Sequence, residues 1–209
     1  IKQLIFNKAM EAKEGAKAIA KESSNKKNTL LLKMAEALKN STKEILAENK
    51  KDIENGKKKG LSNALIDRLT LNEKRIDEMV QGIKEVAQLP DPVGEIINMK
   101  QRPNGMIVGR MRVPIGTIGI IYEARPNVTV DATTLCLKAG NSVLLRGGSE
   151  AINSNRIIVN IMRGVLKEEG IHEGVITFID IPEREAVMEM LKLEGIIDLI
   201  IPRGGEGLI

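Results

Sequence analysis

Between Gly116 and Ser149 the sequence runs GTIGIIYEARPNVTVDATTLCLKAGNSVLLRGGS, and this stretch constrains the fold more than any other part of the chain. Ile118, Ile120 and Ile121 form a short apolar strand, and Pro126-Asn127 interrupts it. Val128 to Lys138 then carries a helical pattern that Gly140 can end in a left-handed cap. Val143-Leu144-Leu145 re-enters a sheet. Two strands joined through a helix are parallel neighbours, so the stretch specifies a βαβ unit of the dinucleotide-binding kind.

The alternation continues downstream. Strands are expected near 117–122, 142–146, 175–179 and 196–201, with helices between them, and a parallel sheet is the natural outcome. The helix after Asn153-Ser154 presents Ile157, Ile158, Ile161, Met162 and Val165 to a core and closes at Gly170, while Met188 and Met190 are read as core filler on the next helix.

Upstream the first ninety residues are helical. Ile5, Ala9, Ala12, Ala16 and Ile19 make one apolar stripe, and Leu31, Met34, Ala35 and Leu38 make another. Capping boxes are expected at Ser41–Glu44 and at Thr70–Glu73, the latter opening a helix with Ile76, Met79, Val80, Ile83 and Val86. Leu89-Pro90-Asp91-Pro92 ends that helix. Residues 94–113 suit a hairpin turning near Pro103-Asn104-Gly105. Its strands need a partner, or else form a solvated surface ribbon tolerated through its charges. The fold class is thus α/β: N-terminal helices over 1–93, a protruding β-hairpin over 94–114, and a Rossmann-like parallel sheet over 115–209.

Composition narrows the function. With 42% hydrophobic and 29% charged residues the chain is globular, and it lacks a run apolar enough to span a membrane. The amphipathic start IKQLIFNKAMEAKEGAKAIAK is too charged for a signal peptide, so a soluble cytoplasmic protein is expected. One cysteine, Cys136, and one histidine, His172, argue against disulfides and metal sites. Lysines at 26–27, 50–51 and 57–59 are read as solvated helix faces. Nucleic acid is not expected as a partner, because Phe6, Tyr122 and Phe178 offer no platform for stacking bases.

Three segments carry a resemblance. The elbow YEARPNVT at 122–129, the strand end LLRGGSEA at 144–151 and the terminal IPRGG at 201–205, in that order, resemble the gamma-glutamyl phosphate reductases, also called glutamate-5-semialdehyde dehydrogenases, of the aldehyde dehydrogenase superfamily. The resemblance implies NADPH-dependent reduction of L-glutamyl 5-phosphate to L-glutamate 5-semialdehyde in proline synthesis. A cysteine thiolate would displace phosphate, and hydride transfer to the thioacyl enzyme would follow. The family's nucleophile comes from a segment after the point where this chain stops, so this chain is expected to be the cofactor-binding part. Alternatives are another aldehyde or acyl-phosphate dehydrogenase, or a non-catalytic nucleotide-binding module.

The resemblance also assigns residues. Arg146, with Gly147 and Ser149 beside it, occupies the place of a basic residue that meets the adenosine ribose, and an arginine fork suits the 2′-phosphate of NADP. Its alternative is a strand-end charge in solvent. Gly204 and Gly205 lie where backbone approaches the cofactor diphosphate. Asn127 aligns with an asparagine that stabilises an oxyanion, its alternative being a helix cap. Arg125 is assigned to an anionic small-molecule substrate. The hairpin over 94–114 corresponds to a ribbon that helps form a homo-oligomer. Cys136, in an apolar helical run, is read as a core residue rather than the nucleophile.

Overall fold

The computed structural model describes residues 1–204. Five helices come first: α1 (Lys2–Ile19), α2 (Ser24–Asn40), α3 (Thr42–Lys58), α4 (Asn63–Leu69) and α5 (Glu73–Gln88). A two-stranded antiparallel hairpin follows, β1 (Ile96–Gln101) and β2 (Ile107–Met111). Then come β3 (Thr117–Tyr122), α6 (Asn127–Lys138), β4 (Ser142–Arg146), α7 (Ile152–Glu168), β5 (Ile176–Phe178), α8 (Glu185–Leu191) and β6 (Leu199–Arg203). The four later strands form one parallel sheet in the order β5-β4-β3-β6.

That order follows from the chain's path. It leaves β3 outward to β4 and β5, then crosses back through α8 to place β6 on the other side of β3. Side chains alternate across the sheet as the strand period dictates. Ile118, Ile120, Tyr122, Val143 and Leu145 join a core with α2, α5, α6 and α7, whereas Ile121 and Leu144 pack with Ile5, Ala9, Ala12, Ala186 and Met190 from α1 and α8. Helices on both faces make three layers.

The apolar stripes of α1, α2 and α5 are buried where their 3.6-residue spacing points them. Helix α1 approaches the sheet's far end so closely that Gly15 and Gly174 meet backbone to backbone. A Cβ on Gly174 would lie 2.1 Å from the Glu11 carbonyl oxygen.

Several local expectations need correction. Helix α5 is capped by Asn72, whose Oδ1 accepts from the Arg75 amide at 2.8 Å. Thr70 instead donates its hydroxyl to the Ile66 carbonyl at 2.7 Å, closing the end of α4, so no capping box forms there. Ser41 lies between α2 and α3 without a side-chain capping bond. Met190 is core but Met188 is exposed, because positions two apart on a helix cannot share a face. The last strand is β6 at 199–203 rather than 196–201, and it is an edge with Leu199 and Ile201 exposed. Lys27 is not a solvated charge. It is buried and pairs with Asp91 at 2.6 Å, tying α2 to the segment that follows α5.

The hairpin turns at 102–106, where Gly105 has φ +83° and donates to the Arg102 carbonyl. Its exposed side chains include Ile96, Met99, Ile107 and Met111.

Candidate functional site

Reversal of direction around β3 opens a crevice at the carboxyl ends of β3 and β6, the place where open parallel sheets hold ligands. Tyr122 and Arg203 are register partners there. A cavity of about 340 Å³ sits on this edge, lined by Tyr122, Glu123, Ala124, Arg125 and Val128 from the elbow, Leu65 and Arg68 from α4, and Arg203 and Gly204. An adjoining cavity of about 370 Å³ shares Arg68 and Arg125 and adds Asn127 and Asp131.

Asn127 is the first residue of α6, not its cap, and Pro126 holds the cap position without a side-chain bond. The Asn127 amide points along the helix and donates to Asp131 Oδ2 at 3.4 Å. Partial desolvation raises the Asp131 carboxyl above its ordinary range, against the pull of Arg203 and Asn127. Asn127 and Asp131 both line the cavity of about 370 Å³, and the Asn127 side chain makes no capping bond to the helix backbone.

The elbow is held from behind by a buried network. Tyr122 Oη and Thr129 Oγ1 are 2.7 Å apart, and Thr129 Oγ1 donates to Asn155 Oδ1 at 2.8 Å. Burial pushes the Tyr122 hydroxyl far above its usual range, so it serves as a neutral anchor. Gly147 closes against this network: a Cβ there would come within 2.3 Å of Asn155 Nδ2. The structure thus gives Gly147 a packing role.

Arg146 is not a charge in solvent. It is buried, its Nη2 donates to the Pro182 carbonyl at 2.8 Å, and its Nε is buried with no hydrogen-bond partner. Burial pulls the guanidinium below its usual pKa, while Glu150 opposes that shift. Ser149 lines a separate cavity of about 210 Å³ with Asn55, Lys59, Glu150 and Pro182.

The start of α7 is closed. Asp52 of α3 accepts from the Ser154 amide at 2.7 Å and hydroxyl at 2.6 Å, and from the Asn153 amide at 3.2 Å. Helix N-termini commonly take phosphate, but here a buried carboxylate occupies those donors. The sequence likewise contains no G-x-G-x-x-G run to cradle a diphosphate.

Cys136 lies inside α6, and burial pushes its thiol up to about 12. At neutral pH it is a protonated core residue. His172 is exposed and accepts from the Gly174 amide at 3.0 Å, a local turn contact. Gly204 lines the crevice, whereas Gly205 lies outside the described residues. No cluster of metal-binding side chains and no membrane-spanning helix occurs among the described residues.

Sequence reasoning missed Arg68, Arg203 and Asp131 as neighbours of Arg125 and Asn127. Arg203 lies within the IPRGG segment, and that segment was the signal that could have found it. Arg68 sits in a seven-residue helix with no motif of its own, and only the tertiary fold brings it to the crevice.

A model of the aldehyde dehydrogenase family matches residues 4–203. The chain belongs to the aldehyde dehydrogenase family. It is 68% identical over its full 209 residues to a gamma-glutamyl phosphate reductase of Thermodesulfovibrio yellowstonii, 50% of which it covers. It matches the crystal structure of a gamma-glutamyl phosphate reductase from Thermotoga maritima with a TM-score of 0.95 at 47% identity, over 98% of this chain and 49% of that one. The Saccharomyces cerevisiae gamma-glutamyl phosphate reductase gives a TM-score of 0.87 at 31% identity, over 97% of this chain and 51% of that one. The chain spans about half the length of these relatives. Membership of the aldehyde dehydrogenase family implies a nicotinamide cofactor.

Proposed function

We propose that this chain is the cofactor-binding half of an NADPH-dependent reductase that converts L-glutamyl 5-phosphate to L-glutamate 5-semialdehyde in proline synthesis. The observation that carries the reading is full-chain identity of 68% to a protein of that name.

The donor set is compatible with the adenosine end of NADP. Arg146 has a buried Nε without a partner, and Ser149 and Lys59 line the neighbouring cavity. A ribose phosphate offers acceptors to such donors. Gly204 and Gly205 are assigned to the diphosphate, since Asp52 already fills the first turn of α7. NADPH, when bound, supplies the hydride.

Asn127 and Arg125 are assigned to the substrate. The Asn127 amide would donate to the carbonyl oxygen as negative charge develops there, an effect worth about 3 kcal/mol in comparable sites. Cys136, buried in α6 with its thiol pushed up by burial, is assigned to the core and not to the chemistry. The attacking thiolate belongs to the half of the relatives that this chain does not span. Its sulfur bonds to the acyl carbon, the bond from that carbon to the phosphate oxygen breaks, and phosphate leaves with the electron pair. The 94–114 hairpin, with its exposed Ile and Met side chains, is assigned to a homo-oligomer contact.

In the reverse direction the full-length protein should oxidise L-glutamate 5-semialdehyde only when NADP⁺ and inorganic phosphate are both present. Equal turnover without phosphate would instead indicate an ordinary aldehyde dehydrogenase.

A further inference from the structure

We propose that Arg68, Arg125 and Arg203 form a phosphate-binding subsite in the crevice between β3 and β6. The inference rests on the reading of this chain as part of an acyl-phosphate reductase and deepens it by assigning residues to the phosphate.

The three arginines come from separate elements: α4, the elbow after β3, and the end of β6. All three line one cavity of about 340 Å³. Among the described residues, the ion pairs between arginine and carboxylate lie elsewhere, at Arg75, Arg112, Arg156 and Arg163. Arg75 meets Asp67 at 3.0 Å, Arg112 meets Glu95 at 3.0 Å and Arg163 meets Glu11 at 2.8 Å, so what sets Arg68, Arg125 and Arg203 apart is that three arginines from separate elements line one cavity. Convergent like charges repel, and an anion placed between them relieves that repulsion.

Among the described residues Glu123 is the single carboxylate on this cavity wall, so three positive groups outweigh one negative. The adjoining cavity adds the carboxylates of Asp67, Glu78 and Asp131 and the guanidinium of Arg75, which pairs with Asp67 at 3.0 Å, while Asp131 feels Arg203 through space without an ion pair. The N-terminal end of α6 lies beside Arg125 and adds its positive dipole end. Guanidinium forks match tetrahedral oxyanions through paired N–H donors. Because Arg68 and Arg125 also border the cavity that contains Asn127, the anion subsite adjoins the residue assigned to the carbonyl oxygen.

Phosphate could reach these arginines from the substrate side or from the dinucleotide, and the test separates the two. In the full-length protein, reverse turnover is measured against inorganic phosphate and against NADP⁺. Binding of radiolabelled phosphate without cofactor is followed by equilibrium dialysis. Arg68→Gln and Arg203→Gln should each raise the KM for phosphate about tenfold or more, and weaken its direct binding similarly, while the KM for NADP⁺ changes less than about twofold. Arg203→Lys, which keeps the charge without the fork, should fall between. Lys84→Gln, removing an exposed charge from α5 away from the crevice, should change neither constant. An unchanged phosphate KM in both glutamine variants overturns the proposal, and so does a rise confined to NADP⁺. If the wild type shows no phosphate-dependent turnover, the reductase reading fails and dialysis alone decides. Phosphate binding lost in the variants then still supports the subsite, and absence of binding to the wild type overturns it.

Discussion

The carboxylate of Asp52 accepts hydrogen bonds from both the backbone amide and the hydroxyl of Ser154, at 2.7 and 2.6 Å, and so joins α3 to the first turn of α7 across most of the sequence between them. One buried side chain thereby caps a helix that is distant in sequence. Asp52→Ala should cost about 2–3 kcal/mol, since it strands buried donors and removes a charged cap. Urea denaturation of the wild type and variant measures this. A loss below about 0.5 kcal/mol would show that water replaces the carboxylate without penalty.

Gly174 has no room for a side chain. A Cβ would collide with the Glu11 carbonyl, so Gly174→Ala must push α1 off the sheet edge, at about 1–3 kcal/mol. Gly164, inside α7, has open space where a methyl group would sit, and Gly164→Ala should instead stabilise by about 0.5–1 kcal/mol. Opposite signs for the two changes in thermal unfolding check the packing of α1.

Cys136 should resist alkylation. With its thiol pushed up to about 12 by burial, almost no thiolate exists near neutral pH. Mass spectrometry after iodoacetamide treatment should show an unmodified Cys136 in the folded chain and full labelling in urea. Cys136→Ser in the full-length protein should keep most turnover per folded molecule. Rapid labelling of the folded chain, or turnover abolished in a folded Cys136→Ser variant, would make it the nucleophile.

Asn127 is distinguished by kinetics. In the full-length protein Asn127→Ala should lower kcat about a hundred-fold while leaving cofactor affinity and stability nearly unchanged. Asn127→Asp should be no better, because a carboxylate repels an oxyanion and faces Asp131 one turn along. Full activity of Asn127→Asp would remove Asn127 from the chemistry.

Much of the architecture is legible because its signals are local. The stripe from Ile5 to Ile19, the alternation through 116–146 and the left-handed turn at Gly140 depend on near neighbours. What the sequence hides depends on distant partners. Nothing around Asp52 announces a cap for a helix a hundred residues away, and nothing around Lys27 announces Asp91. The start of β6 reads too early in the sequence because Ile196 and Ile197 are as apolar as the strand. Ile197 instead packs with α1 and α8, and pairing with β3 begins only near Leu199. The candidate site is half legible for the same reason. Asn127, Arg125 and Arg146 lie in distinctive words, while Arg68 reaches the crevice through folding alone.

Cofactor choice tests the central claim most directly. Calorimetric titration of the full-length protein should show NADPH binding about ten- to a hundred-fold more tightly than NADH, with Arg146→Ala removing most of the difference. Equal affinity of the wild type for the two cofactors would contradict the assignment of this half of the protein to NADP.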